Sequence, residues 1–345
     1  MVCAPAMTSH DKAFTVAVLG ATGAVGRKML EVLAERRFPV REVRALASPR
    51  SAGSTVPFGG ASLKVAPVTA EAFEGVDVAL FSAGSGPSKE WGPIAASKGA
   101  IVIDNSSAWR MDADVPLCVP EVNLAAARVR PRGIVANPNC STIQMLVALA
   151  PIHRVSRIRR IVVSTYQAIS GAGAQAVEHF RAQARAFAAS EPMPKGPIGK
   201  QLAGSLLMEW KRDATVGYQE EELKMIHETR KILGDPEIRV SPTTVRVPVV
   251  NGHSESIAIE LEHPMTAREA RAILASAPGV RVVDDFAAGL YPTPLDADGR
   301  DEVLVGRIRE DLGNPGGLML WVVGDNLRKG AATNAVQIAE GLLLG

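Results

Sequence analysis

The run Phe14-Thr15-Val16-Ala17-Val18-Leu19 passes directly into Gly20-Ala21-Thr22-Gly23-Ala24-Val25-Gly26, and from Ala24 to Arg36 the residues Val25, Met29, Val32 and Leu33 share one helical face. This strand–glycine–helix succession is the most restrictive feature of the chain. An apolar run without regular polar alternation is a strand covered on both faces, the condition of a parallel sheet. The glycines let the backbone approach a pyrophosphate, whose charge then meets the helix N-terminus. The spacing is Gly-x-x-Gly-x-x-Gly, and the competing reading is a tight turn that needs glycine for its own geometry.

Strand-like runs at Val43–Ala47, Val76–Ser82, Ala100–Asp104 and Gly133–Ala136, with a helix at Pro87–Lys98, continue the alternation. They predict a parallel sheet with helices on both faces. The second half reads differently. Ile158–Thr165 and Thr244–Val250 read as strands and Ala174–Ala189 as a helix. Ser256–Glu262 alternates Ile257, Ile259 and Leu261 with polar neighbours, the pattern of an antiparallel strand with one solvated face. Thr266-Ala267-Arg268-Glu269 is a capping box opening a helix that Pro278-Gly279 stops. Val303–Ile308 and Leu318–Val323 add strands, Asp325–Leu344 a closing helix, and Glu191–Gly204 a loop. At roughly 100–200 residues per domain, 345 residues predict two domains. The fold class is α/β: a dinucleotide-binding, Rossmann-like parallel sheet plus an α+β domain on a mixed sheet.

After Glu42 the next acid is Glu71, so the second strand lacks the carboxylate that holds a ribose 2′-hydroxyl. Ser48, Pro49, Arg50 and Ser51 stand at its end instead. A guanidinium with hydroxyls suits a 2′-phosphate, which favours NADP(H); the alternative is an ordinary surface arginine. Lys and Arg number 38 against 36 Asp and Glu, and aromatics are 4%. That balance speaks against nucleic acid or a membrane surface as partner. The apolar stretch after Cys140 is interrupted by Gln144 and Pro151 and reaches His153, short of the about 20 residues a membrane span needs. Residues 1–12 have no basic start and no apolar block, and read as a flexible lead-in in which Met1 or Met7 begins the chain. Cys3, Cys118 and Cys140 show no Cys-x-x-Cys spacing, which fits a reducing cytoplasm and no structural zinc. No histidine–acid spacing suggests a catalytic metal.

Cys140 lies in Asn137-Pro138-Asn139-Cys140-Ser141-Thr142, between a strand and an apolar helix. A helix N-terminus stabilises a thiolate, and its N–H groups can hold the oxyanion of an attacked carbonyl. The competing reading is a small buried core residue, which is how Cys118, between Leu117 and Val119, is read. A thiol beside a nicotinamide cofactor suggests attack on an acyl group and hydride reduction of the thioester, or the reverse. The proton carrier this needs is sought among six histidines. His253, on the turn Asn251-Gly252-His253-Ser254-Glu255, stands only somewhat ahead of the other five.

Gly20–Gly26, Asn137–Thr142, Tyr166-Gln167-Ala168-Ile169-Ser170-Gly171-Ala172-Gly173, Glu221-Glu222-Leu223-Lys224, Arg246 with His253 seven residues later, and Asp325–Ala332 follow in order along the chain. Together they resemble the aspartate-β-semialdehyde dehydrogenase family. The resemblance implies NADPH-dependent reductive dephosphorylation of L-aspartyl-4-phosphate to L-aspartate-4-semialdehyde, in lysine, methionine, threonine, isoleucine and diaminopimelate synthesis. It implies Cys140 as nucleophile, His253 as general acid/base and Gln167 as the residue that orients the substrate. Arg246 matches the substrate-carboxylate binder, Arg110 and Lys224 the phosphate-site cations, Glu221 the acid for the substrate ammonium, and Asn139 a substrate contact. Gly20, Thr22, Gly23, Ala24, Val25, Arg50, Ser51, Ser170, Gly171 and Asn326 match cofactor contacts. It further implies a cytoplasmic homodimer, with 13–139 and 326–345 as the NADP-binding domain and 140–325 as the catalytic and dimerisation domain.

Residue by residue, bland alternatives stand beside these roles. Glu221 and Lys224 also read as a solvated helix pair, and Arg110 and Arg246 as ion-pair partners. The Ile-Ala-Phe-Asn run frequent in the family is missing around Pro197–Leu202, and Asn251 replaces an aromatic or basic residue. N-acetyl-glutamyl-phosphate reductases resemble the chain less, since they carry Asn-Pro-Gly-Cys-Tyr where Asn139 and Ser141 stand here. A non-catalytic cofactor-binding homologue would not need Cys140, Gln167, Arg246 and His253 together.

Overall fold

The structure is a computed structural model, described over residues 13–196, 199–208 and 210–345. The expected lead-in, and residues 197 and 198 of the expected loop, lie outside the described residues. The chain forms two compact units. One runs to Pro116 and adds Leu124–Asn137 and Ala335–Gly345; the other comprises Leu117–Asn123 and Pro138–Asn334.

The first unit contains β1 (Phe14–Leu19), α1 (Ala24–Glu35), β2 (Val40–Ala47), β3 (Thr55–Phe58), β4 (Ala61–Lys64), β5 (Ala66–Pro67), β6 (Val78–Phe81), α2 (Ser85–Ser97) and β7 (Ile101–Asp104). After α3 (Pro120–Asn123), which belongs to the second unit, β8 (Ile134–Ala136) completes its sheet. The strand order is β5-β2-β1-β6-β7-β8, with every pairing parallel. Counted within the sheet this is the order 3-2-1-4-5-6 of dinucleotide-binding folds, whose crevice opens where the order reverses, beside β1 and β6. All of β1 is buried, as its composition requires. Gly20 has φ +86°, and a Cβ there would stand 2.4 Å from Ser82 O; one on Gly26 would stand 2.1 Å from Gly20 O. Only glycine lets this turn close and α1 pack onto it. The β3–β4 hairpin and β5 have no counterpart in the sequence reading.

The second unit continues with α4 (Cys140–Val155), β9 (Ile158–Gln167), α5 (Ala174–Ala189), α6 (Glu220–Leu233), β10 (Arg239–Arg246), β11 (His253–Leu261), α7 (Ala267–Ala275), β12 (Val280–Val282), α8 (Pro294–Ala297), β13 (Val303–Glu310) and β14 (Leu318–Gly324); α9 (Thr333–Leu343) ends the chain. The sheet order is β10-β9-β11-β14-β13-β12. β10 and β12 pair in parallel and the inner strands antiparallel, so the sheet is mixed, as expected. α4 packs on this sheet. It is buried from Ser141 through Ala150, which suits a helix apolar on all sides.

Three boundaries depart from the sequence reading. The strand expected at Thr244–Val250 is Arg239–Arg246, because Pro248 cannot donate to a ladder, whereas Pro242 sits on an edge strand that tolerates it. β11 begins at His253, so this histidine opens a strand rather than sitting on a turn. The closing helix starts at Thr333, after a segment in which Gly330 N–H reaches Asp325 O and Ala332 N–H reaches Leu327 O, five residues back in each case. Such wide turns concentrate at functional sites. Among the described residues no helix is long and apolar enough to cross a membrane.

Candidate active site

Asn139 caps α4. Its Oδ1 accepts from Ser141 N at 3.0 Å and Thr142 N at 3.3 Å, its Nδ2 donates to Glu221 Oε1 at 2.8 Å, and its own N–H donates to Glu228 Oε2 at 2.6 Å. The turn before Cys140 is therefore held by a cap and by two acids of α6. Cys140 is the first residue of α4 and is half-buried. The N–H groups of Ser141 and Thr142, expected as oxyanion donors, are instead engaged by the cap.

Cys140 Sγ lies 3.3 Å from His253 Nε2. On the far side of the ring, Nδ1 accepts the N–H of Ala168 at 3.0 Å. A ring nitrogen that accepts carries no proton, so in the neutral imidazole the proton is on Nε2, facing the sulfur. Burial, and then the Arg246 guanidinium, hold His253 well below the usual histidine range. The ring is thus a neutral donor, not an imidazolium.

Gln167, the last residue of β9, directs its Nε2 to Ser141 Oγ and, at 3.1 Å, to Glu221 Oε1. Lys224 Nζ stands 3.3 Å from Glu221 Oε2 and 3.3 Å from Glu220. Arg246 donates to Ala168 O at 2.8 Å and stacks with its guanidinium 4.7 Å from the Trp210 ring centroid. Gly171 lies against the expected carboxylate binder and the expected acid/base: a Cβ there would be 3.3 Å from Arg246 Nη1 and 3.4 Å from His253 Cε1. Asn326 ties Ser170 Oγ at 2.8 Å to Gly252 N at 3.0 Å. Cys140, His253, Gln167, Asn139, Glu221, Lys224, Arg246, Ser170, Gly171 and Asn326 all belong to the second unit.

The remaining expected residues lie in the first unit. Arg110 is buried and donates to Ser106 O at 3.1 Å and Asn105 O at 2.9 Å. A cleft of about 580 Å³ is lined by Gly20, Thr22, Gly23, Ser48, Arg50 and Ser51 among others. Ala24 and Val25 open α1, whose cap residue Gly23 lines the cleft and offers no side-chain acceptor, so the first N–H groups of the helix have no side-chain cap. A glycine turn, a bare helix N-terminus and a guanidinium around a cleft of this size fit a dinucleotide.

Several residues escaped the sequence reading. Glu228 is two turns after Glu221, on the same face of α6. Gln144 is one turn after Cys140 on α4 and donates to His253 O at 3.4 Å. Both spacings were readable. The Ala168 N–H and Trp210 contacts were not, being set by chain segments far apart in sequence. Gly330 packs so closely that a Cβ would come 2.9 Å from Cys140 Cβ. Cys118 is fully buried, and burial pushes its thiol up to about 12, in keeping with an inert core residue.

Residues 149–329 match the family model of the semialdehyde dehydrogenase dimerisation domain, and residues 15–129 that of the semialdehyde dehydrogenase NAD-binding domain. The aspartate-semialdehyde dehydrogenase of Aquifex aeolicus is 54% identical over 330 residues, covering 95% of this chain and 97% of its own. That of Bacillus subtilis is 48% identical over 335 residues, covering 95% and 96%. The crystal structure of aspartate semialdehyde dehydrogenase II from Vibrio cholerae complexed with ASA is 47% identical with a TM-score of 0.93, covering 96% of this chain and 98% of that one.

Proposed function

The chain belongs to the aspartate-semialdehyde dehydrogenase family, and on that premise we propose that it reduces L-aspartyl-4-phosphate to L-aspartate-4-semialdehyde, releasing phosphate, through a thioester on Cys140. The observation that carries the mechanism is the 3.3 Å contact of Cys140 Sγ with His253 Nε2 at the start of α4. Cys140 reacts as the thiolate favoured at a helix N-terminus: its sulfur attacks the acyl carbon, a carbon–sulfur bond forms, and phosphate leaves with the electrons of the carbon–oxygen bond. The nicotinamide, when bound, supplies the hydride that reduces the acyl carbon. His253 donates its Nε2 proton to the oxygen that gathers negative charge and takes it back as the carbon–sulfur bond breaks, which frees the aldehyde and returns the thiolate.

The substrate is an amino acid with a phosphoryl group at its far end. Arg246, fixed by Ala168 O and Trp210, takes the carboxylate as a bidentate fork. Glu221 holds the ammonium, Lys224 and Arg110 the phosphate, and Gln167 and Asn139 orient the acyl group. Gly20, Thr22, Gly23, Ala24, Val25, Arg50, Ser51, Ser170, Gly171 and Asn326 hold the dinucleotide. Its 2′-phosphate form, NADP(H), is favoured by Arg50 and by a β2 end without an acid. The functional division is 13–139 with 326–345 for the cofactor and 140–325 for catalysis and dimerisation. A second copy docks on the open face of the second sheet, where Val162 and Tyr166 are exposed and Tyr166 stacks 5.4 Å from Trp321.

The test is a spectrophotometric assay in reverse, with aspartate semialdehyde, phosphate and either NADP⁺ or NAD⁺. Phosphate-dependent reduction, faster with NADP⁺, is expected. Oxidation of N-acetyl-glutamate semialdehyde in its place would reject the substrate, and equal rates with both nucleotides would reject the cofactor assignment.

A further inference from the structure

α4 and β11 meet in two steps. Cys140 faces His253, and one helical turn on, Gln144 lies beside Glu255, two residues along the same face of β11. Glu255 is fully buried, and neither of its carboxyl oxygens has a hydrogen-bond donor among the described residues. Gln144 Oε1 is likewise buried without a partner. The Gln144 amide has its NH2 on His253 O, which can only accept. That orientation leaves Oε1, a second acceptor, unsatisfied, and the ionised form of the neighbouring Glu255 carboxyl is acceptor-only. One proton on Glu255 satisfies both groups.

We propose that Glu255 is carried as a neutral carboxylic acid that donates to Gln144 and so acts as a positioning residue for His253. The neutral acid locks the Gln144 amide with its NH2 on the His253 carbonyl, and it keeps negative charge away from an imidazole that must stay neutral to donate from Nε2. Burial pushes the Glu255 carboxyl well above the usual glutamate range. Directly opposite Glu255 stand Thr165 on β9 and Val322 on β14, neither of them charged. Among the described residues the titratable groups near it include His253 on its own strand and Cys140 on α4, with Arg246 bearing on His253. An ionised Glu255 would draw a second proton onto His253 and break its bond from Ala168.

The inference rests on the Cys140–His253 reading for its consequence but not for its measurement. Infrared spectra at neutral pH should show a protonated-carboxyl band that disappears in Glu255→Gln, whatever the reaction proves to be. In the kinetic arm, Glu255→Ala should lower kcat by roughly 10–100-fold with KM nearly unchanged. Glu255→Gln, neutral and isosteric, should recover most of that loss with the wild-type pH–rate profile. Absence of the band would overturn the proposal while leaving the thioester mechanism standing. So would a Glu255→Gln enzyme as slow as Glu255→Ala, or one with a displaced pH profile.

Discussion

The N–H of Ala168 donates to Nδ1 of His253 at 3.0 Å, and this bond fixes the imidazole proton on the nitrogen that faces Cys140. The thiol proton therefore has no place on His253 while the bond persists, and the ring serves the reaction as a donor.

This arrangement has a signature in stability. His253 stays neutral in the fold, held well below the usual histidine range by burial and Arg246. Between its folded and unfolded pKa values the unfolded chain binds a proton that the native state refuses. Stability is therefore full above about pH 6.5 and falls as pH drops below it. Denaturant midpoints should decline between about pH 7.5 and about pH 5, and decline less steeply in His253→Asn. Equal slopes in the two proteins would refute the neutral ring.

Gly330→Ala places a methyl 2.9 Å from Cys140 Cβ. At that distance either the first turn of α4 or the wide turn at 325–332 must shift. Overpacking of this kind costs about 1–3 kcal/mol. Thermal melts should register that loss, and kcat should fall by roughly tenfold or more because the sulfur is displaced. Wild-type kcat in a stable variant would show that the turn does not position Cys140.

Arg50 lines the cleft of the first unit with Ser48 and Ser51. Arg50→Ala should weaken binding of NADPH by roughly tenfold and of NADH hardly at all, since only the former offers a phosphate to the guanidinium. Equal losses for the two nucleotides, measured by fluorescence titration, would assign Arg50 to the surface.

The parts of this architecture written in local pattern were legible. The buried run of β1, its glycine turn, the cap before Cys140 and the box at Thr266–Glu269 all form from neighbours in sequence. What failed depends on distant partners. Glu255 interrupts the inward series His253, Glu255, Ile257, Ile259, so the apolar alternation picks up β11 only at Ser256. The acid is tolerated there because a proton and Gln144 can satisfy it, which no periodicity reveals. The proton on His253 Nε2 depends on an N–H from the end of β9, 85 residues away. Likewise nothing near Trp210 announces that it covers Arg246.

The Trp210 ring stands 4.7 Å from the Arg246 guanidinium. A cation–π contact of this kind contributes about 1 kcal/mol. Trp210→Ala should raise KM for the semialdehyde by roughly fivefold and alter kcat little, because the ring orients the carboxylate binder without touching the sulfur. A fall in kcat at constant KM would place Trp210 elsewhere in the reaction.

The central claim is that Cys140 carries the acyl group. Mixing the enzyme with aspartate semialdehyde and NADP⁺ in the absence of phosphate should produce a burst of reduced nicotinamide equal to the number of active sites, followed by near arrest. Quenched protein should then bear an aspartyl adduct that maps to Cys140, and Cys140→Ser should give neither burst nor adduct. A burst with the Cys140 peptide unmodified, or full turnover by Cys140→Ser, would contradict the account.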